Sequence, residues 1–530
     1  MKPAPRDTEP GLPGKGPLGN LAREPGTGSF GQRLARLVSV AGGALEYRGA
    51  SASSLALVAI AGLLGLSQSV DNKISVLLLL GVVLFEFQKR IDQGLPLAQL
   101  AALLGVLQWT LGPLLSFRTG LVEGRYAMYT DEANYFSYAL PGAAAYVIGL
   151  LGIGSSVRQR ELMKGVKVEH FMAIGLALNA VALAARWAAP RVPGGLSFAV
   201  HLLSQVGYVG VLYILFSGHS HRWRWIFLSL LPLFKSTGES AMFHDIILWL
   251  MLLFCYWYGT RSRTGPEKAF FFVAGMLAVF TIQGIKADYR AKVWNGVEAS
   301  LTETVYDFWT KSNPFESDVV LSNVVTRLNQ GWIISAVLSN VPALEPYAEG
   351  ETLVDALTAA LVPRFLMPDK VTAGGQVNFR RFTGLGLESG TSMAVSPLGE
   401  AYANFGREGG VALMLGFGLA FAAFYAFCLR YVLKDASFLF WIPLIFYQAI
   451  KAETEFVTVL NQVTKGAVVA FALHWGVSKV WMPILEKRQE QLARSRKGRG
   501  GAVGQALPGS IRTHLPAGGE GAPRGLEGRA

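Results

Sequence analysis

The 530-residue sequence is short of charge: Asp, Glu, Lys and Arg make up only 16% of it, against about 25% in an average soluble domain. That deficit excludes an ordinary cytosolic enzyme. Cysteine is scarcer still. Cys255 and Cys428 each lie inside an apolar run, so neither a disulfide framework nor a thiolate metal site can be built from them. The histidines at 170, 201, 219, 221, 244, 474 and 514 show no metal-ligand spacing beyond the HSH at 219–221. No metal or cofactor is expected on these grounds. No GKS or GKT follows the glycine-rich stretch after Thr372, which excludes a nucleotide P-loop there.

What is abundant is apolar length, with 51% of residues hydrophobic. Stretches able to cross the roughly 30 Å hydrocarbon core, which takes about 20 helical residues, recur at about 53–70, 74–88, 95–117, 136–154, 170–187, 196–217, 224–238, 240–259, 268–285, 409–428, 437–451 and 457–478. The expected fold is therefore all-α, a polytopic membrane bundle of about 12 transmembrane helices. Helices 1–9 fall within 51–285 and helices 10–12 within 409–480, and one large extracytoplasmic loop at 286–408 contains short helices.

Basic residues are retained on the cytoplasmic side of short loops, and alternate loops here are basic. Lys89 and Arg90, then Arg158, Arg160, Lys164 and Lys167, then Arg222 and Arg224, then Arg261, Arg263 and Lys268, then Arg430 and Lys434 mark the inner side. Both termini are expected inside, and a start of the first apolar run about 50 residues in argues against a cleaved leader. Of the net charge of +12, residues 1–52 (7 basic, 4 acidic) and 479–530 (10 basic, 4 acidic) supply nine. The Gly/Pro-rich ends, 1–50 and 481–530, read as disordered basic cytoplasmic tails. No aromatic residue interleaves the basic ones after Trp481, so anionic membrane lipids, not nucleic acid, are their expected partner.

The large loop is mildly acidic in its first half, with Asp288, Asp307, Asp318, Glu345, Glu349, Glu351 and Asp355. A cluster of basic residues comes late: Arg364, Lys370, Arg380, Arg381 and Arg407. Residues 318–338 and 352–361 carry apolar groups at helical spacing and are expected to lie along the bilayer or cap the bundle. The following Gly/Ser/Thr-dense stretch, TAGGQVNFRRFTGLGLESGTSMAVSPLGEAYANFG, reads as a binding loop folded over the membrane mouth.

Guanidinium groups grip phosphate oxygens bidentately and stay charged. PRFLMPDK, with Arg364 and Lys370, and NFRRF, with Arg380 and Arg381, thus suit a pyrophosphate headgroup; contact with lipid phosphate or with loop acids is the alternative. Glu400, in SPLGEAYANFG and one helical turn ahead of Asn404, has the chemistry of a general base toward a sugar hydroxyl. It equally suits a helix N-terminus. Buried ionisable groups face a cavity or one another, which applies to Lys235, Glu239, His244 and Asp245 in FKSTGESAMFHD and to Asn461, Gln462 and Lys465. KSTGES is expected as an outer turn that brings Lys235 beside the loop. Arg125 shares that face with Asp131 and Glu132, where a solvated loop is the competing reading.

A polytopic bundle, a large late outer loop, PRFLMPDK within it and GEAYANFGREGG leading into the next span together resemble the Wzy-type O-antigen and exopolysaccharide polymerases. The architecture covers most of the chain; the sequence-level likeness lies within about 360–412. The resemblance implies an inverting glycosyltransferase of the inner membrane that uses neither nucleotide sugar nor metal and polymerises polyprenyl-pyrophosphate-linked oligosaccharide units at the periplasmic face. It implies catalytic roles for Arg364, Arg380 and Arg381 on the pyrophosphate and for Glu400 as base, with Lys370, Tyr402 and Asn404 orienting sugars. Partners would include a chain-length regulator and a flippase of the same pathway. Relatives often carry an Arg after a small-residue turn in a middle span; here KSTGES offers Lys235, a point charge without the bidentate fork. The rival readings are an O-antigen ligase, disfavoured by the lack of histidine in 286–408, a lipid-linked oligosaccharide flippase or other transporter, and an export scaffold.

Overall fold

The structure is a computed structural model that describes residues 45–46, 49–122, 124–153, 156–193, 196–240, 243–295, 300–311, 314–315, 317–362, 366–367, 370–371, 373–388 and 391–491. Residues 1–44, 47–48 and 492–530, most of the two basic tails, and Arg364 in PRFLMPDK therefore fall outside the described residues, whereas the start of the tail expected to be disordered, 481–491, is helical. Apart from a two-residue antiparallel pair, Leu45–Glu46 with Ser156–Val157, the described secondary structure is helical. The chain divides into two units, residues 1–474 and 475–530. The second is described only to 491, where it is helical with a π-turn at Gly476–Trp481.

In the first unit the helices are α1 (Ala52–Ser67), α2 (Asn72–Arg90), α3 (Leu97–Thr119), α4 (Glu132–Gly152), α5 (Phe171–Ala188), α6 (Ser197–Phe216), α7 (Arg222–Ser240), α8 (His244–Tyr258) and α9 (Gly265–Trp294). An insertion follows with α10 (Leu301–Lys311), α11 (Asp318–Leu328), α12 (Gly331–Asn340), α13 (Glu351–Leu361) and α14 (Gln376–Thr383). Then come α15 (Ser396–Val432), a 3-10 turn at Ala436–Trp441 running into α16 (Ile442–Phe446), and α17 (Phe456–Trp475). A helix lies at every expected span, and among the described residues seven helices are long and apolar enough to cross a membrane. The helical segments at Ala52–Ser67, His244–Tyr258 and Ala436–Phe446 are apolar but shorter. The chain is thus an all-helical protein of membrane composition.

Two boundaries differ from expectation. The ninth helix continues to Trp294 and the tenth begins at Ser396, so the insertion is 295–395 and not 286–408. Glycine at 406, with φ 69° and ψ −157°, lets α15 kink between a polar first part and its apolar remainder. KSTGES is not a turn: it is the last part of α7, where Lys235 and Glu239 pair one helical turn apart at 3.7 Å. Residues 318–338 are helical as expected, but in two pieces broken at Asn329–Gln330.

Small residues set the helix crossings. A Cβ on Gly149 of α4 would lie 2.6 Å from Leu415 O of α15, and one on Gly418 would lie 2.5 Å from Tyr146 O. Close approach of backbones through facing glycines is how apolar helices associate where water supplies no driving force between them. Gly175 of α5 and Gly210 of α6 repeat the arrangement.

In α3, Pro113 has no N–H to give, and the π-turn at Leu107–Leu111 shifts Gly112 N–H onto Leu107 O. Two carbonyls are thereby released inside the bundle. Gln108 O accepts from Gln330 N (3.1 Å) and Trp109 O from Tyr135 Oη (2.8 Å). Both partners are needed, since buried carbonyls cannot be left bare. The break between α11 and α12 is thus seated on the defect in α3.

Gly149→Leu is expected to force α4 from α15 and to cost about 1–3 kcal/mol, the usual overpacking range. Thermal unfolding of the detergent-solubilised protein reads this as a lowered midpoint, with the exposed Gly81→Leu, which has open space, as the unchanged control.

Candidate functional site

The insertion is pinned by α13, and three of the anticipated site residues do the pinning. Asn404 donates to Thr352 Oγ1 (2.7 Å) and to Glu400 O (2.8 Å), while its Oδ1 accepts from Gly350 N (3.1 Å). Lys370 caps the other end of α13, donating to Ala359 O (2.8 Å) and to Val362 O. Cations are favoured at such carbonyl ends. Arg381 donates to Glu345 (2.6 Å) and to Glu351 at the start of α13 (2.9 Å). The hydrogen bond it donates to Glu345, with Glu351 beside it, holds this guanidinium above its ordinary pKa. It is the loop-acid alternative, rather than an open phosphate contact, that the geometry of Arg381 displays.

Glu400 is fully buried on α15, its Oε2 accepting the first amide of α17, Phe456 N, at 2.7 Å. Oε1 has no hydrogen-bond partner among the described residues. The helix-terminus reading of Glu400 therefore holds, though the helix served is α17 and not its own. Tyr402 is buried with its ring against Tyr138 and Tyr347, centroids 5.1 and 6.0 Å away.

Arg380 and Arg125 stand apart from these. Arg380 projects from α14 and donates to Leu387 O (2.9 Å); Arg125 donates to the neighbouring carbonyl, Gly386 O (3.2 Å). Both are exposed, and among the described residues neither is paired with an acid. One extended segment thus gathers two guanidinium groups separated by about 255 positions of sequence. Lys235 does not join them: it is 77% exposed, with Glu239 as its ion pair.

Sequence reasoning passed over the segment 451–455, Lys-Ala-Glu-Thr-Glu, between α16 and α17. Glu455 is buried and receives Gly375 N (2.9 Å), Gly374 N (3.3 Å) and Asn378 Nδ2 (3.2 Å), so it anchors the N-terminus of α14 and aims Arg380. Burial pushes its carboxyl above the usual carboxylate range despite these donors. Ala452 O accepts from Trp109 Nε1 (3.0 Å). Lys451 meets Asp245 at 3.6 Å and lies over the Tyr447 ring, while Glu453 meets His244 Nδ1 at 2.8 Å. His244 and Asp245 thus face partners, as intramembrane ionisable residues should. The available signal was three charges in a five-residue gap between two apolar runs.

The described residues hold no cluster of three His, Cys, Asp or Glu able to hold a metal ion. The arrangement is one of cations and buried acids on a helical insertion, in a protein whose helices are those of a membrane bundle. The chain belongs to a family of domains of unknown function, DUF8712, whose model matches residues 122–471 and so takes in α4 to α16, most of α17 and the whole insertion. No curated protein and no solved structure matches it.

Glu455→Ala is expected to loosen α14. Hydrogen bonds to a charged group contribute about 1.5–3 kcal/mol, so amide exchange over 374–383 should quicken by roughly tenfold or more with exchange in α4 unchanged.

Proposed function

We propose that this protein is a membrane glycosyltransferase that polymerises polyprenyl-pyrophosphate-linked oligosaccharide repeat units into a surface polysaccharide. In this reading about twelve helices cross the bacterial inner membrane, both termini are cytoplasmic, and the insertion faces the periplasm. The observation that carries it is the meeting of Arg125 and Arg380 on consecutive carbonyls of the insertion, both exposed and, among the described residues, without acid partners. Two free forks side by side match a diphosphate leaving group better than they match a neutral solute.

The chemistry is an inverting displacement. An acceptor hydroxyl attacks the anomeric carbon of the lipid-linked chain, the bond from that carbon to the diphosphate oxygen breaks, and the diphosphate departs with the electron pair. Guanidinium groups on that oxygen favour the transition state because negative charge grows there. Arg364, outside the described residues, belongs to the same proposed set by sequence. Arg381, Asn404 and Lys370 then act as positioning residues, since their hydrogen bonds are spent on the insertion itself. Glu400 has one carboxylate oxygen without a hydrogen bond among the described residues for the role of base, reachable by a hydroxyl only if the α15–α17 contact opens.

In a deletion strain, surface glycan is expected to shrink to single repeat units capped on the acceptor. Arg380→Ala or Arg364→Ala should fail to restore polymer by at least about tenfold, the loss of one charge-assisted contact in the transition state, while the proteins still reach the membrane. Accumulated lipid-linked polymer would instead mark a ligase, units trapped on the cytoplasmic leaflet a flippase, and full-length polymer in both variants would remove the arginines from the site.

A further inference from the structure

The first helix of the insertion, α10, has three faces. One is packed on α9: Phe308 is buried, its ring centre 6.0 Å from that of Phe280, it clusters with Ile285 and Val320, and a Cβ on Gly284 would lie 2.5 Å from it. The second is polar, with Glu303, Thr310 and the ion pair of Lys311 and Asp307 at 2.6 Å. The third carries Leu301, Thr302, Tyr306 and Trp309, positions that are neighbours on a helix surface. It is open, with Tyr306 65% and Trp309 40% exposed. Phe315, just beyond the helix, extends this face: it is itself exposed, with its ring stacked on Phe280 at 5.1 Å and close to Trp309 at 5.8 Å. A contiguous exposed patch of this kind marks a contact surface.

The level at which α10 sits is set by α9. Between Lys268 and Lys286 that helix carries no charge, and residues 269–285 make about 25 Å of helix, close to the roughly 30 Å hydrocarbon core. Residues 273–279 are exposed all round, which leaves them to lipid. Phe280, Gly284 and Ile285, on which Phe308 rests, belong to the last two turns of the uncharged run, and Lys286, Arg290 and Lys292 follow. α10 is therefore seated where apolar helix gives way to charge. Tyr and Trp side chains concentrate at that level, with an apolar body toward the acyl chains and a polar tip toward water.

We infer that α10 is an interfacial membrane anchor. Leu301, Tyr306, Trp309 and Phe315 enter the headgroup and upper acyl region of the bilayer, while Glu303, Asp307 and Lys311 stay in water, as on a helix lying in the membrane plane. The contact holds the start of the insertion down on the leaflet it faces. This inference rests on the bundle crossing a bilayer and is independent of the glycosyltransferase chemistry.

The test is the accessibility of single nitroxide labels on the full-length protein in phospholipid nanodiscs. Cys255 and Cys428 are buried, so the unsubstituted protein supplies the labelling blank. Glu303, Tyr306, Trp309, Thr310 and Met276 are all exposed, so a label at each leaves the packing intact. In Tyr306→Cys and Trp309→Cys, collisions with oxygen should exceed those with a water-soluble nickel chelate, and the order should reverse in Glu303→Cys and Thr310→Cys. Met276→Cys, on α9, reports the hydrocarbon. Nickel access at 306 and 309 equal to that at 303 and 310, with oxygen dominant at 276, overturns the anchor and spares the membrane bundle; nickel access at 276 as well overturns both. Labels at 306 and 309 closed to both reagents would lie against protein, as in a pairing of two copies of the chain, and that outcome also overturns the anchor.

Discussion

The bonds that tie segment 451–455 into its surroundings hold the insertion to the bundle. A stretch without regular helix between two apolar helices must find partners for its backbone, because neither lipid nor a packed interior supplies water to do so. Trp109 Nε1 satisfies Ala452 O, and Glu400 satisfies the first amide of α17. Glu455 in turn satisfies the amides of Gly374 and Gly375, just ahead of α14. A short polar gap therefore links α3, α15 and α17 to the insertion. Buried acids are costly unless bonded, and here the cost is offset by fixing where α14, and with it Arg380, must lie.

The same logic runs through α3. Pro113 and the π-turn release two carbonyls, and the backbone of Gln330 and the hydroxyl of Tyr135 take them up. Gly331 has to be glycine for this contact, since a side chain there would enter Pro113 and Tyr135. The insertion is thus attached at two places by backbone and side-chain bonds that lipid could not replace. Helices that are free on one face, such as α9 with its exposed Phe270, Val273 and Met276, supply the apolar surface that surrounds this polar interior.

The helices were largely legible because apolar length and basic loop residues are local signals. A helix stands at each expected span, and α13 ends just ahead of Pro363 as its sequence requires. The ends of helices were less legible: the polar first part of α15 reads as loop, yet it is helix up to the kink at Gly406 and is held to α17 through Glu400. At the site, residue type alone could not distinguish a free arginine from a paired one. Arg380 and Arg381 are adjacent in sequence, yet one is exposed beside a carbonyl and the other lies between two acids. That difference is set by helix phase and by Glu345 and Glu351, some thirty positions away. The part played by Glu455 was hidden for the same reason, since its partners are eighty residues upstream.

Membership of a family of unknown function gives no activity to lean on, so the polymerase reading stands or falls on chemistry. The direct measurement is chain extension by the purified protein in lipid nanodiscs, supplied with a polyprenyl-diphosphate-linked repeat unit and no nucleotide sugar. A ladder of products differing by one repeat, made by the wild type and lost in Arg380→Ala, is the predicted result. Repeat units recovered unchanged from the correctly folded wild type would contradict it.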